Sequence, residues 1–241
     1  MTQVMHRIGT AIWGLVMWLV FALVCLIVIV ALVLVPTQGL RRRLVRGGTR
    51  LIFRLVGVPL DVTGLKYLPG GPCIVVSNHA SYLDGMILTA ALPPRFSFVI
   101  KREMTKVPFA HFLLRRIGSE FVEREQSSQG SRDARRILQQ ASGGSSLCFF
   151  PEGTFQAEPG LRRFRMGAFN AAKRGPVPLV PTVIRGSRHM LPAHHWMPRP
   201  GRLEVHVLPP VETKHDAPSS ELAAQCREIM LPVLREPDLE S

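Results

Sequence analysis

The sequence predicts an α/β protein: a largely parallel, mixed sheet flanked by helices, preceded by an apolar helix and a basic one. Three observations predict it. From residue 58 onward, short apolar and mostly β-branched runs alternate with helical patterns, the order that builds parallel sheets with crossover helices. One of these runs, 73–77, passes straight into Asn78-His79-Ala80-Ser81-Tyr82-Leu83-Asp84-Gly85, a turn from strand to helix that holds a histidine. Before all of this, residues 8–40 carry no charged side chain, and the next segment is crowded with arginine.

The first element is the apolar stretch, densest over residues 12–35. About 20 such residues cross the hydrocarbon core of a bilayer. A secretory signal would have an apolar region of only about 7–15 residues and a small-residue cleavage site. The stretch therefore reads as a retained membrane-anchoring helix, residues 1–36, with Trp13 and Trp18 suited to an interface. Only His6 and Arg7 precede it, so the Lys/Arg excess follows the span. That asymmetry places the remainder on the cytoplasmic side of the inner membrane.

Residues 37–57 form the second element. Leu40, Leu44, Leu51 and Leu55 recur near helical spacing, while Arg41, Arg42, Arg43, Arg46, Arg50 and Arg54 crowd the rest. This is a basic amphipathic helix suited to anionic lipid, with a kink expected at Gly47-Gly48. The net charge of +13 calls for a polyanionic partner. The apolar stretch favours an anionic bilayer surface over nucleic acid, and no aromatic-interleaved basic motif argues otherwise.

The third element is the domain 58–241. Strands are expected at 58–63, 73–77, 96–100, 120–122, 147–150, 177–184 and 203–208. Helices are expected at 82–91, 131–140, 164–174 and 219–234, and a turn at Gly143-Gly144-Ser145. Pro178 and Pro181 suit an edge strand or one lining a groove. The residues from Glu236 onward look frayed. Cys25, Cys73, Cys148 and Cys226 are scattered without a C-x-x-C, so neither zinc nor a redox dithiol is indicated. His189, His194 and His195 lack zinc-type spacing, and no metal is expected there.

The chemistry gathers at strand ends. His79 and Asp84 are five residues apart, so in one uninterrupted helix they would face different ways. They meet only if His79 lies in the turn. A neutral imidazole then takes a proton from a hydroxyl while the carboxylate fixes its tautomer. No G-x-S-x-G nucleophile elbow is present, so the attacking hydroxyl belongs to a substrate. The strand at 120–122 runs out to Arg124, whose planar fork suits a phosphate or carboxylate. Another strand ends in Pro151-Glu152-Gly153-Thr154, where glycine lets a backbone N–H approach a ligand. Arg162, Arg163 and Arg165 follow before a helix opens at Gly167.

The order and spacing of these blocks resemble the glycerolipid acyltransferase superfamily, typified by lysophosphatidic acid acyltransferase. The likeness covers about residues 59–186: His79 to Asp84, the stretch ending at Arg124, Phe150-Pro151-Glu152-Gly153-Thr154 with Phe164 to Phe169 beyond it, and the proline-containing strand. The resemblance implies transfer of a fatty acyl group from acyl-CoA or acyl carrier protein, as co-substrate and with no cofactor, to a lysophospholipid hydroxyl. It implies His79 as general base and Asp84 as its orienter. It also implies Lys101, Arg124, Glu152, Gly153 and Thr154 as acceptor-binding residues. Many members of that superfamily carry Arg directly after Glu-Gly-Thr, where this chain has Phe155. That difference sets an amino-acid-containing acceptor such as lyso-ornithine lipid beside lysophosphatidate; a non-catalytic, membrane-tethered lipid-binding protein is a more distant alternative, against which the intact His79, Asp84 and Pro151-Glu152-Gly153 count.

Overall fold

The computed structural model describes residues 2–123, 128–213 and 217–240. Helix α1 (Thr2–Leu34) and helix α2 (Gln38–Leu55) form an antiparallel pair. The strands are β1 (Leu60–Thr63), β2 (Ile74–Ser77), β3 (Ser97–Lys101), β4 (Glu120–Val122), β5 (Leu147–Phe149), β6 (Leu179–Arg185) and β7 (Leu203–Val207). Among them lie α3 (Asp84–Ala91), α4 (Pro108–Arg116), α5 (Ser128–Ser142), α6 (Gly167–Arg174), α7 (Ser187–Met190) and α8 (Ser219–Leu234).

The strands form one seven-stranded sheet in the order β1-β7-β6-β2-β5-β3-β4. β6, β2, β5, β3 and β4 run parallel; β7 turns antiparallel to β6 and β1 follows β7. Strand residues alternate between two cores. Val75, Cys148 and Val180 pack with Phe53, Ile87 and Leu88 on the α2–α3 side. Ile74, Leu147 and Val183 pack with Ala168, Phe169 and Leu222 on the α6–α8 side.

β6 is an interior strand, so of the two positions its prolines suit, the edge is excluded. Pro178 and Pro181 serve there as acceptors: Ile74 N–H donates to the Pro178 carbonyl (3.0 Å) and Leu208 N–H to that of Pro181 (2.9 Å). The antiparallel ladder to β7 begins one residue later, at Thr182, so the missing Pro181 donor falls where that ladder has ended.

α1 is long and apolar enough, over Arg7–Leu34, to cross a membrane. It exposes Ile12, Leu15, Leu19, Leu23, Leu26, Ile27 and Val30. Its other face is buried. Val24, Val28 and Leu32 pack on Val45 and Ile52 of α2, and Met17 joins the sheet core. Of the two tryptophans, Trp13 Nε1 donates to the Val56 carbonyl at the end of α2 (3.1 Å) and Trp18 Nε1 to that of Trp196 in the domain (2.9 Å). α2 runs through Gly47-Gly48, where a kink was expected, without interruption of the helix. Gly48 has a packing role: a Cβ there would lie 2.7 Å from Val28 Cγ2, so glycine is what lets the two helices touch.

The arginines of α2 also differ from expectation. Arg42 donates to the carbonyls of Ile117 (2.7 Å) and Arg95 (2.8 Å) and to Ser97 Oγ (2.5 Å). Arg46 and Arg50 reach the last carbonyls of α3, at Ala91 (3.4 Å) and Ala90 (2.8 Å). These three hold the protein together, while Arg43 and Arg54 face outward. The tail from Glu236 is likewise bound, as Leu161 N–H donates to the Pro237 carbonyl (2.9 Å) and Leu239 N–H to that of Leu161 (3.0 Å).

Candidate active site

Adjacent strands β2 and β5 send their chains to opposite sides of the sheet. β2 leads to α3 and then right along the sheet to β3; β5 leads to α6 and left to β6. Their carboxyl ends therefore open a crevice, the place where open α/β sheets bind ligands. His79 lies just past β2 and Glu152 just past β5.

α3 begins at Asp84, so His79 is in the turn before it, as its pairing with Asp84 requires. His79 Nδ1 is 2.9 Å from Asp84 Oδ2. The same oxygen accepts the Ala80 N–H (2.6 Å) and the Ser81 N–H (2.8 Å). Asp84 is fully buried, whereas the His79 side chain keeps 19% of its surface open. An acceptor-only carboxylate on Nδ1 makes that nitrogen the N–H and leaves Nε2 its lone pair. Such an arrangement can serve as a base with its orienter. The turn is braced further by Ser81 Oγ, which donates to the Leu191 carbonyl (2.7 Å). Asn78 does not cap α3. It instead extends the β2–β6 pairing, donating to the Ile184 carbonyl (3.0 Å) and accepting the Ile184 N–H (2.7 Å).

Glu152 ties the two strand ends together. Its Oε1 accepts the His79 N–H at 2.6 Å and its Oε2 the Arg162 N–H at 2.9 Å. Burial pushes its carboxyl up to about 7, and the two N–H donors oppose that shift. Gly153 takes φ +80°, and its N–H donates to the Phe150 carbonyl (3.0 Å), so it closes the turn. Thr154 is exposed, and its Oγ1 accepts from Arg162 Nη1 at 3.1 Å. Phe150 stacks on the His79 ring at 4.4 Å between centroids, and Phe155 lies against it at 4.5 Å and 58°. Tyr82 meets Phe155 edge-on at 4.8 Å. The imidazole thus sits between two aromatic rings.

Lys101 is exposed at the end of β3. Two strand spacings separate it from β2, which puts it roughly 10 Å along the same sheet edge. Arg124 lies outside the described residues. The Arg163 side chain points away to Glu240 (3.8 Å) and that of Arg165 is exposed, although the Arg165 N–H donates to the Pro151 carbonyl (2.9 Å); of the three downstream side chains, that of Arg162 reaches the turn.

Sequence reasoning missed Asp133, a buried acid that accepts from Arg102 Nη2 (2.7 Å), Arg136 Nη1 (3.1 Å) and the Glu123 N–H (2.9 Å). It holds the ends of β3 and β4 together. A signal was present: Asp133 and Ile137 are four apart, so the acid shares the helix face of a core residue. Arg227 and Arg188, which hold the loop after Glu152, had no comparable signal.

Fold and site together define an α/β domain with a His–carboxylate pair at the carboxyl edge of its parallel sheet. The family described as Acyltransferase matches residues 59–185, and the chain belongs to that family. The 1-acyl-sn-glycerol-3-phosphate acyltransferase of Saccharomyces cerevisiae is 27% identical over 187 residues, 76% of this chain and 62% of that protein. The alpha form of the enzyme with the same name from Mus musculus is 32% identical over 190 residues, 76% of this chain and 66% of that one. The matches thus span slightly less than two thirds of those two relatives. The crystal structure of the 1-acyl-sn-glycerophosphate (LPA) acyltransferase PlsC from Thermotoga maritima superposes with a TM-score of 0.82 at 20% identity. It covers 95% of this chain and 96% of that one, and the two share a fold.

Proposed function

We propose that this protein transfers a fatty acyl group from an acyl thioester, acyl-CoA or acyl carrier protein, to the free hydroxyl of a lysophospholipid. The leading acceptor is 1-acylglycerol-3-phosphate, which gives phosphatidic acid. The observation that carries this reading is the His79 Nδ1 to Asp84 Oδ2 contact of 2.9 Å beside an open crevice. The names of the relatives agree with it.

In the reaction, His79 Nε2 takes the proton of the acceptor hydroxyl as its oxygen attacks the thioester carbonyl. Asp84 stabilises the imidazolium that forms. The tetrahedral intermediate collapses, the C–S bond breaks, and the proton on Nε2 passes to the leaving thiolate. Positioned proton transfer of this kind contributes about 10²–10⁴-fold. The aromatic rings on His79 limit water at the base, which disfavours hydrolysis of the thioester. Lys101, Arg162 and Thr154 line the acceptor side. The exposed apolar face of α1 lies in the inner membrane with the domain on the cytoplasmic side, where both lipid substrates partition.

Phe155 against His79, with no cation at that position, supports a second reading on the same chemistry, an amino-acid-containing acceptor such as lyso-ornithine lipid. Thiol release by detergent-purified protein tests both. Long-chain acyl-CoA is supplied with lysophosphatidate or with lyso-ornithine lipid, and His79→Ala is the control. Release with lysophosphatidate that disappears in His79→Ala is the expected result. Undiminished release in His79→Ala refutes the mechanism.

A further inference from the structure

The loop after Glu152 is held from a distant part of the chain. Residues 236–240 run beside 160–162, with Gly160 N–H on Glu236 Oε2 at 2.8 Å and two backbone bonds at Leu161. Arg188 grips Glu236 through both carboxylate oxygens (2.8 and 3.1 Å) and donates to the carbonyls of Gln156 (2.6 Å) and Glu158 (2.7 Å). Arg227 of α8 stands beneath, 7% exposed. It donates to the carbonyls of Leu161 (2.5 Å) and Arg162 (2.8 Å). Its Nε contacts both oxygens of Asp238 (3.0 and 3.1 Å), and Nη1 lies 3.2 Å from Glu240. Its guanidinium also covers the Phe164 ring at 5.3 Å.

A buried guanidinium is tolerated only when its donors are met, and these are. Its two main-chain targets are the carbonyls of Leu161 and Arg162. The Arg162 N–H then meets Glu152, and the half-buried Arg162 side chain reaches Thr154 Oγ1 at the mouth of the crevice. Arg227 itself touches no part of the turn at His79.

We propose that Arg227 and residues 236–240 form a positioning clasp that aims the Arg162 guanidinium at the anionic head group of the acceptor. The inference rests on the acyl-transfer reading of the site and adds to it which cation meets the head group and what holds that cation. The His79–Asp84 contact is made on another element, so loosening the clasp weakens acceptor binding more than it disturbs that contact. The Arg227 guanidinium also keeps the Asp238 carboxyl below its usual range, so the clasp stays ionised through neutral pH.

The test is a double-mutant cycle of Arg162→Gln and Asp238→Asn, with Arg227→Lys as a second way of loosening the clasp. Two readouts are taken on full-length protein: equilibrium binding of lysophosphatidate in detergent, and KM against kcat for acceptor and donor. Thermal denaturation confirms that each variant is folded. Arg162→Gln should weaken lysophosphatidate binding about 10–100-fold, the range for hydrogen bonds to a charged group. Asp238→Asn should weaken it several-fold, less than Arg162→Gln does, because the Arg162 guanidinium is then misplaced rather than removed. Acceptor KM should rise while donor KM stays within about twofold, and binding of neutral monoacylglycerol should not change. In the Arg162→Gln background, Asp238→Asn should add nothing.

Effects that multiply in the double variant overturn the proposal, because the clasp would then act independently of Arg162. Unchanged lysophosphatidate binding in both Asp238→Asn and Arg227→Lys overturns it as well, and so does a fall in kcat alone. Wild-type protein that binds lysophosphatidate with this coupling yet never releases thiol refutes acyl transfer and leaves the clasp standing. Wild-type protein that does not bind lysophosphatidate refutes the clasp.

Discussion

Asp84→Asn separates the charge of the orienter from its shape. Asp84 Oδ2 accepts three N–H groups, from His79, Ala80 and Ser81, while no hydrogen bond meets Oδ1. An asparagine therefore has one sensible placement, with its oxygen at Oδ2 and its amide nitrogen at Oδ1. The turn and the imidazole tautomer survive. What disappears is the negative charge that stabilises the imidazolium. With the atoms in contact at 2.9 Å the charge centres are about 4 Å apart, and at an effective dielectric near 20 that attraction is worth ~4 kcal/mol. Each 1.36 kcal/mol is tenfold in rate, so turnover should fall about 10³-fold.

Stability should move much less. Burying an amide N–H₂ without a partner costs about 1–3 kcal/mol, partly offset by removing a buried charge. For a chain of this size that corresponds to a melting shift of only a few degrees, about 2–4 °C per kcal/mol. Asp84→Ala is the contrast. It strips two buried backbone donors of their acceptor and should melt markedly lower. The assay is thiol release from acyl-CoA in the presence of acceptor, beside thermal denaturation of the same preparations. Asp84→Asn that melts normally and turns over within tenfold of wild type would refute the role of the carboxylate charge.

Two further perturbations test the supports of the site. Glu152 has a folded pKa of about 7 against an ordinary 4.5, so folding opposes its ionisation and stability falls as pH rises through that window, by about 3 kcal/mol at 1.36 kcal/mol per unit. Glu152→Gln should flatten the melting temperature against pH between about 4.5 and 7, while losing activity because its amide N–H₂ faces either the His79 or the Arg162 N–H; an unchanged slope refutes the assignment. Gly48→Ala places a methyl 2.7 Å from Val28 Cγ2, and overpacking of about 1–3 kcal/mol should exceed the roughly 1 kcal/mol gained in helix propensity. A higher melting temperature would show that α1 and α2 do not rely on that close approach.

All seven expected strands exist, because apolar β-branched runs report sheet burial directly. The His79–Asp84 contact was legible for a related reason: two residues five apart meet only across a turn, and the run before His79 locates that turn. Less legible was anything that depended on where a backbone group found its partner. Pro181 reads as an edge residue until the end of the β7 ladder is known. α4 was missed, since Pro108 to Arg116 mixes three basic residues with exposed Phe109 and shows no clean apolar stripe. The tail beyond Glu236 has no apolar run, and its order comes from Arg188 and Arg227, which lie elsewhere in the sequence.

The arginines make the same point in energetic terms. A helix ends with carbonyls that lack intrahelical partners and carry partial negative charge. Here those ends are met by guanidinium groups from other elements. Arg41 donates to the Val35 carbonyl just after α1 (2.8 Å), and Arg116 to that of Leu32 within its last turn (2.5 Å). Arg46 and Arg50 do the same for α3. A net charge of +13 read from composition suggests a lipid-facing surface, yet much of that charge works inside the fold. The consequence is mechanical. α2 is bonded to the carboxyl end of α3, whose amino end carries Asp84, and α1 is packed along α2. If the apolar face of α1 sits in the bilayer, Arg46 and Arg50 link that face rigidly to His79. The height of His79 above the lipid is then set in part by hydrogen bonds within the protein, which occupy one nitrogen of each of those two arginines.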